Sequence, residues 1–97
     1  MSRLDQTKLI LRARKLQKEL QKMIITTQAG EGAVKVEISG EQKIKKISID
    51  PKTVNLDDIG QLENWLEEAI KEAINQSQQL AAEKMKPMMG ALGSLGL

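Results

Sequence analysis

Histidine and cysteine are both absent from this 97-residue chain, which removes the commonest general acid-base side chain, the thiol nucleophile and the usual ligands of structural zinc. Phenylalanine and tyrosine are missing too, so Trp65 is the single aromatic. The core must be assembled from Leu, Ile, Val, Ala and Met, without the side chains that usually bury the most area. A chain of this length makes one domain, near the lower limit at which a core suffices alone, so a thin aliphatic core favours association with another chain. The lack of cysteine excludes a disulfide framework and fits a reducing cytoplasm. No apolar run approaches the roughly 20 residues needed to span a bilayer. Asp5, Glu19 and the want of a serine-rich stretch argue against a transit peptide in the basic N-terminal segment. The expectation is a cytoplasmic, unprocessed protein that does not enter a membrane.

Among the carboxylates, lysines and serines that remain, no spacing pairs an acid with a base or forms a nucleophile elbow or phosphate loop. Gly30-Glu31-Gly32 lacks the further glycine and the helix start of a dinucleotide fingerprint. We therefore expect no enzymatic activity, no cofactor, no metal and no small-molecule substrate.

What is present is charge, unevenly placed. The formal net charge is +2, yet residues 1–22 carry +5, residues 23–50 are balanced and residues 51–97 carry −3. A chain so polarised offers a basic end to something anionic.

From about Leu4 to Met23 there is neither glycine nor proline, and Leu9, Ala13, Leu16, Leu20 and Met23 recur at helical spacing. They predict a helix with one narrow apolar stripe, suited to a partner helix rather than a broad sheet. Leu4 and Leu11 fall nearly opposite that stripe. Ile24-Ile25-Thr26-Thr27 is a β-branched run that favours a first short strand, closed by Gly30 and Gly32. Val34, Val36 and Ile38 alternate with Lys35, Glu37 and Ser39, the period of a strand with one buried face, and Gly40 turns the chain. In a third strand Ile47 and Ile49 share a parity that Ile44 lacks; a bulge near Lys45 or a local exit from the sheet would reconcile them. Asp50-Pro51 ends it.

Asn55 or Asp57 can cap a second helix, with carboxylates early in it and Ile59, Leu62, Leu66, Ala69, Ala73 and Leu80 forming its stripe. This helix is expected to run to about Lys84 or Met85. Residues 1–86 then make a single domain, and residues 87–97 a flexible Gly/Leu/Met tail. The fold class is α+β, in the order helix, three short strands, helix, with a small antiparallel sheet flanked by two long helices. A sheet this small leaves apolar stripe and strand edge unburied in one protomer, for which a symmetric dimer is the simplest remedy.

Gly30-Glu31-Gly32-Ala33-Val34-Lys35-Val36-Glu37-Ile38-Ser39-Gly40, followed by Ile47-Ser48-Ile49-Asp50-Pro51, resembles the central signature of the YbaB/EbfC family of small bacterial nucleoid-associated proteins. Asp58, Leu62-Glu63, Leu66, Ala69 and Ala73-Ile74-Asn75 look like that family's second-helix pattern. The resemblance covers about Leu16 to Ala82; the first helix departs from it, being rich in Arg and Lys where many relatives are rich in Met and Gln. It implies an α-β-β-β-α protomer, a tweezer-like homodimer, binding to duplex DNA, a place in the nucleoid and no enzymatic role.

On ideal helix geometry Lys8, Arg12, Lys15, Lys18 and Lys22 all flank one side of the first helix's stripe, over about 21 Å, a length that matches several phosphates of a duplex. Arg3 and Arg14 lie on the other flank. The bland alternative is a solvated face, with Glu19 close to Lys15 and Lys22. Lys43, Lys45 and Lys46 form a second candidate patch, whose alternative role is protection of a strand edge. The glutamates of the second helix, Glu63, Glu67, Glu68 and Glu72, should face away from phosphates. No helix-turn-helix, zinc finger or RNA-binding aromatic pair is present, and Trp65 belongs to core or dimer packing. Binding is thus expected to be phosphate-dominated, weakly sequence-selective, micromolar-class and steeply salt-dependent. The competing reading is a non-enzymatic adaptor that uses its helical seam and apolar tail to engage another protein. Membrane-surface binding by the first helix is disfavoured by its narrow stripe and want of an aromatic anchor.

Overall fold

Straight-chain Leu, Lys, Arg and Gln dominate a segment free of glycine and proline, and it forms helix α1 (Arg3–Lys22). Three strands follow, β1 (Ile24–Ala29), β2 (Val34–Ser39) and β3 (Ile44–Ile49), and then helix α2 (Ile59–Ser94). The structure is a computed structural model and describes residues 3–94. Its element order is the expected α-β-β-β-α.

The strands pair antiparallel in the order β1-β2-β3. Thr27 stands opposite Val36, and Val36 opposite Ile47. Ile38 faces Ile44 while Glu37 faces Lys46, so Lys45 is the extra residue of a bulge. The bulge returns Ile44 to the face of Ile47 and Ile49, which resolves the parity conflict in the sequence.

Beyond β3, Asp50 closes its turn by accepting the Lys52 N–H at 3.0 Å and the Thr53 hydroxyl at 2.9 Å. Those two donors, with Lys35 nearby, hold the Asp50 carboxyl below the usual carboxylate range. The cap of α2 differs from the expectation. Asp58 Oδ1 accepts the Gln61 N–H at 3.1 Å and is the N-cap, whereas Asn55 makes a local turn by accepting the Asp57 N–H at 3.0 Å. With the Asn55 carbonyl also accepting the Asp58 N–H at 3.0 Å, the chain is still turning at Asp57.

The far end of α2 differs as well. It does not stop near Lys84 or Met85 but continues through Pro87 to Ser94; residues 95–97 of the expected tail lie outside the described residues. Proline removes the donor to the Glu83 carbonyl, at a cost of about 3 kcal/mol in a helix interior. Glu83 and Pro87 are exposed, so water can take that carbonyl, and Met85, Met88, Met89 and Ala91 around it are good helix formers.

The first half of α2 lies over β1 and β2. Ala69, Ala73 and Ser77 face the sheet and are almost wholly buried against Val34, Val36 and Ile38. Two polar contacts lock this packing. The Thr27 hydroxyl donates to the Ala69 carbonyl at 2.7 Å, and the Ser77 hydroxyl donates to the Ser39 carbonyl at 2.7 Å while accepting from Gln42. Trp65 lies on Gly30, whose φ is +63° and where a Cβ would stand 2.5 Å from the indole ring. Past Ser77 the helix leaves the sheet. Its distal half forms an arm with α1, whose last turn is tied to the sheet by the Gly40 N–H donating to the Leu20 carbonyl at 2.9 Å. Leu20 is buried, and Leu9, Leu16 and Met23 are half-buried, so the narrow seam of α1 meets a helix of its own chain, although Ala13 of the expected stripe is exposed. The molecule is drawn out to 64 × 20 × 15 Å.

Replacing Gly30 by Ala should destabilise the fold by about 1–3 kcal/mol, because it adds a clash with Trp65 to a left-handed backbone; circular dichroism at matched protein concentration should show Tm lowered by roughly 5–15 °C, and an unchanged Tm would contradict the Trp65–Gly30 packing. The Asp50 contribution to stability is complete above the unfolded carboxyl value of about 3.9 and is lost as pH falls through its lower folded value. Urea midpoints measured from neutral to acid pH should therefore fall more steeply for the unsubstituted chain than for Asp50→Asn.

Candidate nucleic-acid interface

Because the seam of α1 turns toward α2, the flank that carries Lys8, Arg12, Lys15, Lys18 and Lys22 is turned to solvent. All five side chains are exposed. They occupy successive turns over about 21 Å of helix, so α1 presents a continuous basic ridge. The ion pairs seen among the described residues, Lys43–Glu41 at 3.4 Å and Lys71–Glu67 at 2.7 Å, involve none of them. A row of solvated cations costs little to hold in water, and releases counterions when it meets a row of phosphates.

The second candidate patch does not form one surface. Lys43 is paired with Glu41, in a turn where the Ser39 hydroxyl accepts the N–H groups of both residues at 3.3 Å. Lys46 stands opposite Glu37 on the sheet face away from α2. Lys45 occupies the bulge between them. Sequence proximity suggested one cluster; the bulge and the strand's alternation divide it.

On α2 the glutamates Glu63, Glu67, Glu68 and Glu72 are exposed along the half that covers the sheet. The Lys71 ammonium donates to Glu67, which holds the Glu67 carboxyl below its ordinary range and the Lys71 ammonium above its own. Past Glu83 the charge changes sign with Lys84 and Lys86, both exposed on the arm beside α1. Sequence reasoning weighed only the glutamates of the second helix; the order of charges along it, most acids first and these two lysines after Glu83, was the signal that separates its two halves. Lys35 was also passed over, and it shares the outer sheet face with Lys46.

An open groove of about 440 Å³, lined by Ile25, Glu72, Gln76, Gln79, Leu80 and Glu83, is acidic and would repel phosphate. Among the described residues no three His, Cys, Asp or Glu side chains converge as a metal site, and no helix is long and apolar enough to cross a membrane.

Comparison with known proteins shows the family. The family model described as the YbaB/EbfC DNA-binding family matches residues 6–92. A nucleoid-associated protein of Chloroflexus aurantiacus is 40% identical over 81 residues, covering 84% of this chain and 81% of its own length. One from Desulforamulus reducens is 41% identical over 79 residues, covering 81% and 75% respectively. In fold, the chain is similar to a crystal structure of an uncharacterised protein from Helicobacter pylori, with a TM-score of 0.78 and 18% identity over 86% of this chain and 87% of that one.

Proposed function

Since the chain belongs to the YbaB/EbfC DNA-binding family, we propose that it is a nucleoid-associated protein of the cytoplasm that binds duplex DNA as a homodimer, without enzymatic activity, chiefly through phosphates and with little sequence selectivity. The observation that carries this reading is the exposed ridge of Lys8, Arg12, Lys15, Lys18 and Lys22 on α1. Lysine predominates in it, and a lysine ammonium is a flexible point charge suited to phosphate oxygens rather than to the bidentate reading of a base edge. No aromatic side chain lies in the ridge to stack on an unpaired base, which favours duplex over single strands. The other half of the fold supports the same polarity. Glu63, Glu67, Glu68 and Glu72 sit on the sheet half of α2, while the arm carries more cations than acids, so a phosphate backbone is attracted to one end of the molecule and repelled from the other.

A homodimer gives the ridge its effect. One α1 offers a few weak, screened contacts, whereas two held at a fixed separation bind one duplex together. Lys43, Lys45 and Lys46 enter as separate, subsidiary cations, Lys43 and Lys46 being weakened by the neighbouring Glu41 and Glu37.

Titration of a fluorescent duplex of about 30 base pairs over a series of salt concentrations tests this reading. The unsubstituted chain should bind with a log-log salt slope of several units. Changing Lys8, Arg12, Lys15, Lys18 and Lys22 to Gln should lower affinity by well over tenfold and remove most of the slope, with helicity retained. Changing Lys43, Lys45 and Lys46 to Gln should cost several-fold less. Absence of binding by the unsubstituted chain at low salt would overturn the proposal, and equal losses in the two variants would remove the ridge from its central place.

A further inference from the structure

One line of α1 faces away from α2, and it carries leucine. Leu4 and Leu11 are 65% and 57% exposed. On ideal helix geometry they lie within about 20° of one another and about 150° from the seam that meets α2. A single exposed leucine needs no cause; these two form a stripe, one heptad apart, on the face that the arm turns to solvent. Ile10 is also exposed, at 53%, but it stands about 110° from the stripe and takes no part in it.

What surrounds the stripe gives it a meaning. Lys8, Lys15 and Arg12 stand about 30–90° to one side of it and Arg14 and Arg3 about 70–90° to the other, all of them exposed. Towards the sheet, Lys18 and Lys22 continue the stripe itself as cations. The acids of the helix are set aside from it, Glu19 by about 70° and Asp5 by about 110°. Thr7, about 50° away, donates its hydroxyl to the Arg3 carbonyl at 2.9 Å, so it adds no free polar proton beside the leucines. The outward face of α1 is therefore an apolar line between two rows of cations.

We propose that this face enters the major groove of duplex DNA, with the cations on its two sides meeting the two phosphate walls and Leu4 and Leu11 meeting thymine methyls on the floor. The inference rests on the duplex binding proposed above and assigns it a groove and an apolar contact. Three arguments select this occupant. Positive charge on both sides of the stripe matches a partner with two anionic walls and a less polar centre. A helix with its side chains is about 10–12 Å across, which the major groove, about 12 Å wide, admits and the minor groove, about 6 Å wide, does not. The floor of the major groove carries the thymine C5-methyl as its largest apolar group, and Leu4 and Leu11 are about 10.5 Å apart along the helix, about three base-pair steps. A lipid surface fits less well, because an interfacial helix lays down a broad apolar face, whereas here two leucines stand among seven cations.

The two kinds of contact respond differently to salt. The cations release counterions and so set the salt slope; leucine against methyl removes apolar area from water and releases none. Sequence dependence follows in a graded form. A leucine has no hydrogen bond with which to read a base, so it responds to the number of methyls within reach and favours thymine-containing stretches without defining a site.

Titration of two duplexes of about 30 base pairs, identical except that thymine in one is replaced throughout by uracil, tests the contact. Uracil removes the C5-methyl and leaves the phosphates and the hydrogen-bonding edges in place. The unsubstituted chain should bind the uracil duplex about three- to tenfold less tightly, with the same log-log salt slope. Leu4→Gln combined with Leu11→Gln should keep its helicity, since both positions are exposed and glutamine is a good helix former. This variant should lose a similar factor on the thymine duplex and no longer distinguish the two duplexes. A chain that binds both duplexes equally, with a full salt slope, overturns the groove contact and leaves phosphate binding standing. No binding to either duplex at low salt overturns the proposed function itself. The same two chains are titrated with phosphatidylglycerol vesicles; a variant that keeps full duplex affinity but loses the vesicles overturns the inference by assigning the leucines to a lipid surface.

Discussion

The close approach of α2 to the sheet is the constraint from which the rest of the structure follows. Ala69, Ala73 and Ser77 recur every fourth residue, and side chains of that size let the helix backbone come down onto β1 and β2. The approach is close enough for a threonine of β1 to donate directly to the helix backbone, Thr27 to the Ala69 carbonyl at 2.7 Å. It is closed at one end by Trp65 on Gly30 and at the other by Ser77 on the Ser39 carbonyl. Larger residues at 69 and 73 would lift the helix and allow it to slide over the middle of the sheet. As built, α2 is held to one side.

Two features with functional weight are consequences of that placing. A helix of 36 residues is about 54 Å long, far more than a six-residue strand can support, so the remainder must project. The projecting half gives α1 something to pack on, and α1, attached at Gly40, turns its basic flank outward. On the other side the offset leaves the isoleucines of β3 without cover. An exposed arm and an exposed row of isoleucines thus come from one packing decision.

Much of this was legible in the residues. The period-two run Val34, Val36, Ile38 marked β2 because one face of it is buried, and the parity conflict between Ile44 and Ile47 pointed to a bulge near Lys45 or a local exit from the sheet, of which the bulge is the one that forms. The ridge on α1 could be read because helical spacing fixes which side chains share a flank. Other features were hidden for physical reasons. Pro87 signals a helix end locally, but its cost is tolerable where the freed carbonyl is exposed and the neighbours favour helix. Asp58 lost the cap to Asn55 and Asp57 in sequence reasoning because all three are good capping residues, and only the path of the turn separates them. Lys43, Lys45 and Lys46 read as one patch because a one-dimensional string does not show a bulge that sends neighbours to different sides. Nor could the string show that α2 favours β1 over β3, since a helix stripe is equally compatible with either.

The partition of charge explains why so modest a net value suffices for binding a polyanion. Moving the acids of α2 onto α1 would leave the total at +2 and abolish the ridge, so the relevant quantity is the local field within a Debye length of the arm, about 8 Å at physiological ionic strength. The acids Glu63, Glu67 and Glu68 lie on the half of α2 that covers the sheet, while Lys8, Arg12 and Lys15 lie on the arm. Since each single lysine contact is weak and screened, what counts is that the five cations of α1 stand on one helix face, so that a polyanion can meet them together.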